Sequence, residues 1–289
     1  MNNIEFYKNR NLGDRFSASA QFIRENGVIL FKQIFIPALP LVIIQAFFLM
    51  KYTGLAVMFA NGGYSASFFG YALLYFLFTA LLSLYIPSMT GALMSKYEAG
   101  LLTRETKFGD LSNKMFSNMG KFFVIMLLIG LIGGGIAFVL ALLWAGIAAI
   151  SSVIAAIFAI LLFVAICAIL PPLALAYFPA FFQDAQAGAS IKKGFSLGFK
   201  NWGTTFATIL IAGLITAVIS LLFYAPYLIW SLLGGSIGIL TYLFTLLASM
   251  GTIFVTPLTL IFLAFQYFSI VEKEEGISLQ SKVEEFDNL

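Results

Sequence analysis

Histidine is absent from the 289 residues, and cysteine occurs once, at Cys167. The commonest general base, which is also the commonest ligand for zinc, copper and non-haem iron, is therefore missing. A single cysteine makes neither an intramolecular disulfide nor a cysteine-based metal cluster. Charge is scarce too. Asp, Glu, Lys and Arg make up 10% of the chain, against about 25% in soluble domains. Hydrophobic residues make up 61%, and their apolar runs exceed the roughly 18 residues that mark a membrane helix. This balance excludes a soluble globular enzyme, a nucleic-acid-binding domain and a peripheral protein held by one anchor. There is no G-x-S-x-G elbow and no P-loop, and without histidine no H-E-x-x-H. Glu105 with Asp110, or Asp184 alone, are the only imaginable acid–base groups. They lie on connectors beside lysines and read as solvated charge.

What is present is a set of six apolar segments, at about 28–50, 67–94, 121–147, 149–182, 203–232 and 239–271. Each is longer than the roughly 20 residues a helix needs to cross about 30 Å of hydrocarbon. The fourth and sixth have length to spare for tilt or kinks. Barrel strands would alternate apolar and polar residues in segments of about 10, and none do. The first 27 residues are polar and of mixed charge, and no processing of a signal peptide is expected.

Charge is distributed unevenly. Six spans bring fifteen of the sixteen Lys and Arg residues to one side and leave Lys51 alone on the other. All thirteen acidic residues share the lysine-rich side. The positive-inside rule then predicts that both termini are cytoplasmic. No charge lies deep in a span. Lys32, in the first turns of the first, reads as an interfacial anchor.

The segments before the odd-numbered spans share a pattern: LGDRFSASAQFIRENG, FGDLSNKMFSNMG and SIKKGFSLGFKNWG. Leu12, Phe16, Ala20 and Ile23 make one helical stripe. So do Phe108, Leu111, Met115 and Met119, and Ile191, Phe195, Phe199 and Trp202. Each segment enters its span through a similar joint: Asn26-Gly27, Asn118-Met119-Gly120 or Asn201-Trp202-Gly203. Each even-numbered span carries proline, and the steps from Pro87 to Pro172 and from Pro172 to Pro257 are both 85 residues. The expected architecture is therefore all-α: one membrane domain of three tandem units, each an interfacial amphipathic helix followed by a transmembrane hairpin. The units fall at about 11–98, 106–184 and 187–272, with an acidic tail at 273–289. Parallel repeats about an axis along the membrane normal are the corresponding arrangement.

Two sets of candidate site residues follow. Proline removes a backbone N–H bond and frees a carbonyl, which at mid-membrane depth must face protein or a wet cavity. Pro87, Ser88, Thr90, Pro171, Pro172, Thr256, Pro257 and Thr259 are therefore a candidate polar pocket; ordinary packing kinks are the alternative. Basic residues on amphipathic helices meet anionic head groups. Arg15, Arg24, Lys114, Lys121, Lys192, Lys193 and Lys200 are therefore candidate lipid head-group contacts. Gly130 and Gly134 have the small-xxx-small spacing of helix packing, and Trp202 and Trp230 sit where interfacial anchors do.

The stretch FPAFFQDAQAGASIKKGFSLGFKNWGTTFATILIAGLI resembles a group of bacterial six-helix inner-membrane proteins. That group includes the membrane domain attached to some glycerophosphodiester phosphodiesterases. The N-terminal FYKNRNLGDRFSASAQFIRENGVILFKQIF is similar to membrane proteins of the Bacteroidetes type. The resemblance implies a fold and an inner-membrane location, and no catalytic motif. Some such proteins are labelled carotene-cleaving monooxygenases, which hold iron with several histidines; this chain has none. The function expected is a non-enzymatic lipid-handling or membrane-organising scaffold. The alternative is a transporter or channel for a neutral or amphiphilic solute. Neither reading calls for a cofactor. The partners implied are membrane lipids, then other membrane proteins, and not nucleic acid.

Overall fold

The computed structural model describes residues 4–60, 67–235 and 238–278. The acidic tail beyond Ser278, and part of the loop expected between the first two spans, lie outside the described residues. All regular structure among the described residues is helical. Helix α1 is Leu12–Leu30. It runs through a π-helical turn, Phe31–Phe35, into α2, Ile36–Ala60. Then come α3 (Ser67–Glu98), α4 (Gly109–Ile150), α5 (Ser152–Leu175), the short α6 (Phe178–Phe182), α7 (Ala187–Lys200), α8 (Trp202–Leu232) and α9 (Ile239–Glu275).

Six of these helices or continuous helical runs are long and apolar enough to cross a membrane. The chain is a multipass membrane protein. Helix is forced by the solvent: inside hydrocarbon every backbone N–H and C=O must be satisfied within the segment. Side chains set the ends. Asn11 caps α1 by accepting from the Asp14 amide at 2.9 Å. Ser151, the lone residue between α4 and α5, leaves the helical region and accepts from the Ile154 amide.

Two of the three expected joints are not joints. Asn26-Gly27 lies within α1, and Asn118-Met119-Gly120 lies within α4. Only Asn201, at φ −114° and ψ 35°, separates an amphipathic helix from its span. One glycine in a helix interior costs about 1 kcal/mol, too little to end a helix whose next residues are apolar. As a result α4 is 42 residues long, or about 63 Å at 1.5 Å per residue. That is twice the thickness of the hydrocarbon.

The interior is concentrated at the lysine-rich end. There, all of α9 from Leu260 to Val271 is buried. Around it lie Phe22 of α1, Met89 and Leu93 of α3, Leu111 and Met115 of α4, and Phe178 of α6. The segment before α1 closes this end. Phe6 is 4% exposed and sits among the rings of Phe22, Tyr97, Phe265 and Phe268, with centroids 4.8 to 6.1 Å away. Ser269 fixes the segment by accepting from the Arg10 amide and donating to the Arg10 carbonyl.

The packing follows an order. Each hairpin packs on itself: α2 on α3, α4 on α5, α8 on α9. The amphipathic portions cross between hairpins: the start of α4 lies on α3, α7 lies on α5, and α1 lies on α9.

Candidate functional site at the lysine-rich end

The proline residues are packed. Pro87, Ser88 and Thr90 are buried in α3, and Pro171 and Pro172 are buried at the end of α5. Pro257 is buried in α9, with Thr256 and Thr259 half-buried. The Thr90 and Thr259 hydroxyls donate to carbonyls four residues back in their own helices. Close backbone approach fills the space beside Pro172: a Cβ on Gly198 of α7 would lie 2.5 Å from the Pro172 Cα. One turn away, a Cβ on Gly194 would lie 2.4 Å from the Ala176 Cα. The Ser190 hydroxyl completes this contact. It donates to the Ala176 carbonyl at 2.8 Å and accepts from the Ala180 amide at 3.0 Å, where the chain breaks between α5 and α6.

Two carbonyls freed by proline find partners on other helices. Pro172 leaves the Ala168 carbonyl without its helical donor, and the Trp202 indole donates to it at 2.9 Å. Pro37 does the same to Gln33, whose carbonyl takes the Tyr85 hydroxyl at 2.5 Å. Trp202 is thus a partner for a kinked helix as well as an aromatic at a span end. Gly130 and Gly134 have open space around them: a Cβ on either would meet no atom within 4 Å. These two glycines make no helix contact within the chain, because the stretch of α4 that carries them is exposed.

The basic residues divide into three groups. Arg15 turns inward, which corrects its assignment to head groups. Its side chain is 9% exposed and its Nη1 donates to the Gln266 Oε1 at 2.5 Å. Gln266, wholly buried in α9, is the centre of a polar cluster. Its Oε1 also accepts from the Thr208 hydroxyl at 3.0 Å, and its Nε2 donates to the hydroxyls of Thr205 at 3.0 Å and Thr204 at 3.3 Å. The rings of Phe16 and Phe22 pack on α9, while Ala20 of the expected α1 stripe is exposed; Arg15, beside Phe16, goes in with the rings. Gln266 is a lone amide in the apolar run FLAFQYF. That isolation is the signal the sequence offers.

Lys114, Lys121, Lys193 and Lys200 form ion pairs. Asp184 accepts from Lys114 at 2.8 Å and Lys121 at 3.1 Å, joining α4 to the turn before α7. The Asp184 carboxyl is held below the usual aspartate value, mainly by the hydrogen bond from Lys114; partial burial opposes this and Lys121 reinforces it. Lys193 pairs with Glu275 at 2.5 Å and Lys200 with Glu274 at 3.5 Å, joining α7 to the end of α9. Arg24 and Lys192 are exposed and form no ion pair among the described residues.

Three grooves open at this end. Two, of about 460 and 500 Å³, are lined by mixed charges around the N-terminal segment. The third, of about 810 Å³, lies between the π-helical turn and the connector before α4. Lys32, Arg104 and Lys107 line it. No residue of the expected proline pocket lines any of the three. Comparison with protein-family models, with curated proteins and with solved structures finds no match for this chain.

Proposed function

We propose that this is a bacterial inner-membrane scaffold of three tandem hairpin units, which handles lipids or organises partner membrane proteins and catalyses no reaction. Both termini face the cytoplasm on this reading, because fifteen of sixteen basic residues fall on that side. The unit structure is supported by the packing order. Each amphipathic portion lies on the proline-bearing helix of the preceding unit, and the first closes the ring on the third.

The observation that carries the functional reading is the treatment of the prolines. The freed Ala168 and Gln33 carbonyls are capped by Trp202 and Tyr85, and Gly198 backs directly onto Pro172. A solute path through the kinks would leave such carbonyls facing water. These two kinks, closed by partners, instead belong to the packed interior of the lysine-rich end. From it, apolar helices extend into lipid with side chains such as Leu131, Phe138, Ile160 and Leu214 exposed. An exposed apolar surface of that extent is a lipid or partner contact.

Native mass spectrometry of the protein extracted with its own membrane lipids tests this. A defined lipid retained at fixed stoichiometry is the expected result. A smear of bulk phospholipid with no preference overturns lipid handling.

A further inference from the structure

The 810 Å³ groove has a composition unlike the rest of the lysine-rich end. Lys32, Arg104 and Lys107 converge on it and Glu105 is the only carboxylate in its lining. Elsewhere Lys114, Lys121, Lys193 and Lys200 are neutralised by Asp184, Glu274 and Glu275. None of the three groove cations forms an ion pair among the described residues. Three cations gathered beside a single carboxylate repel one another, so their convergence needs a structural cause.

That cause is the π-helical turn. Its extra residue per turn puts Gln33 inward while Lys32 stays exposed. The Gln33 side chain, buried, donates from Nε2 to the Thr106 carbonyl at 2.9 Å. Thr106 is buried as well, and its hydroxyl accepts from the Thr103 amide at 3.0 Å. The connector bearing Arg104 and Lys107 is thereby fastened against Lys32. Single π turns inside α-helices are frequent at functional sites.

Depth identifies the occupant. The groove opens where the connector meets the first span, at the boundary between charge and apolar surface. Pro37 lines it. Pro40, Ile44 and Phe47 follow at spacings of three and four, all exposed, and continue one apolar stripe along α2. Cations at the top of an apolar stripe match a molecule with an anionic head and an acyl chain.

Building on the lipid-handling reading above, we infer that the Lys32–Arg104–Lys107 groove binds the phosphate head group of an anionic phospholipid, whose acyl chain lies along Pro40, Ile44 and Phe47. Lys32 then contacts a ligand rather than merely anchoring its helix.

The test titrates delipidated full-length protein in detergent with phosphatidylglycerol, phosphatidylcholine or inorganic phosphate, read by native mass spectrometry. Wild type is expected to take up phosphatidylglycerol at fixed stoichiometry and phosphatidylcholine far less. The triple variant Lys32→Gln, Arg104→Gln, Lys107→Gln is expected to lose at least about tenfold in affinity, since each surface cation contributes appreciably to anionic-lipid binding. Gln33→Leu, which changes no charge, is expected to weaken binding by releasing the connector. The double variant Lys8→Gln, Lys273→Gln, in one of the mixed-charge grooves, is expected to bind as wild type does. Thermal unfolding is expected to be unchanged in the triple variant. Loss of phosphatidylglycerol in the double variant but not the triple overturns the groove and leaves lipid handling standing. No preferential uptake by wild type overturns both. Displacement of the lipid by millimolar phosphate overturns the lipid as occupant.

Discussion

The two ends of this molecule are built from the same helices but not by the same forces. At the lysine-rich end, α9 is enclosed on all sides from Leu260 to Val271, and Gln266 pairs across helices with Arg15 and Thr205. At the far end, α4 and α5 expose nearly every side chain, from Leu131 to Trp144 and from Val153 to Phe163. Lipid tails are as apolar as leucine, so apolar side chains alone give helices little reason to associate in a membrane. Close backbone approach and interhelical hydrogen bonds supply the reason, and both are concentrated at one end. The far end keeps a few, such as the Gln45 amide donating to Thr79 at 2.9 Å.

Substitutions that act at one end and not the other test that contrast. The largest effect is expected at Gly198. A leucine there meets the backbone of Pro172; overpacking costs about 1–3 kcal/mol, and more where the neighbour is backbone that cannot yield. Gly198→Leu is expected to abolish a cooperative thermal transition in detergent, while Gly134→Leu, in open space, leaves it in place. An equal effect of the two would break the contrast.

Gln266→Leu comes next. It strands the buried Arg15 guanidinium and is expected to cost about 3 kcal/mol. Adding Arg15→Met, which removes the stranded charge, is expected to restore most of the loss in the same unfolding measurement. Trp202→Phe keeps the ring stacked on Phe206 but orphans the Ala168 carbonyl. Its expected cost is about 1–2 kcal/mol.

Asp184→Asn is the smallest. The Asp184 side chain is 71% exposed, so its pairs with Lys114 and Lys121 contribute less than about 1 kcal/mol after solvent screening. Because its folded-state value is lowered, the contribution is complete above the ordinary aspartate value of 3.8 and drains away as pH falls below it. Unfolding temperature measured from pH 6 down through about 3 is expected to converge for wild type and Asp184→Asn. A difference that persists at the acid end would assign the effect to something other than the ion pair.

Much of this is legible in the chain. The fifth and sixth spans, expected at 203–232 and 239–271, are found as Trp202–Leu232 and Ile239–Glu275. Hydropathy adds residue by residue, and the cost of hydrocarbon needs no knowledge of neighbours. The proline positions are legible too, but their surroundings are not. Whether a freed carbonyl meets water or an indole depends on Trp202, 34 residues from Ala168. The partners of the basic residues escape the sequence for the same reason. A lysine on an amphipathic helix looks alike whether it faces a lipid or Asp184, and Lys114 and Asp184 are 70 residues apart. Phe6 escapes notice because its neighbours Glu5 and Lys8 make the segment look solvated.

Six spans, the end at which charge gathers and the composition of the helices follow from the order of residues alone, because each rests on local transfer energies and periodicity. The packing is what turns Arg15 inward to Gln266, 251 residues away, and makes two expected joints continuous helix. It also brings Lys32, Arg104 and Lys107 into one groove, with no ion pair among the described residues. Those outcomes depend on which helix lies beside which, and in a membrane that choice is made by a few close contacts and hydrogen bonds rather than by apolar area.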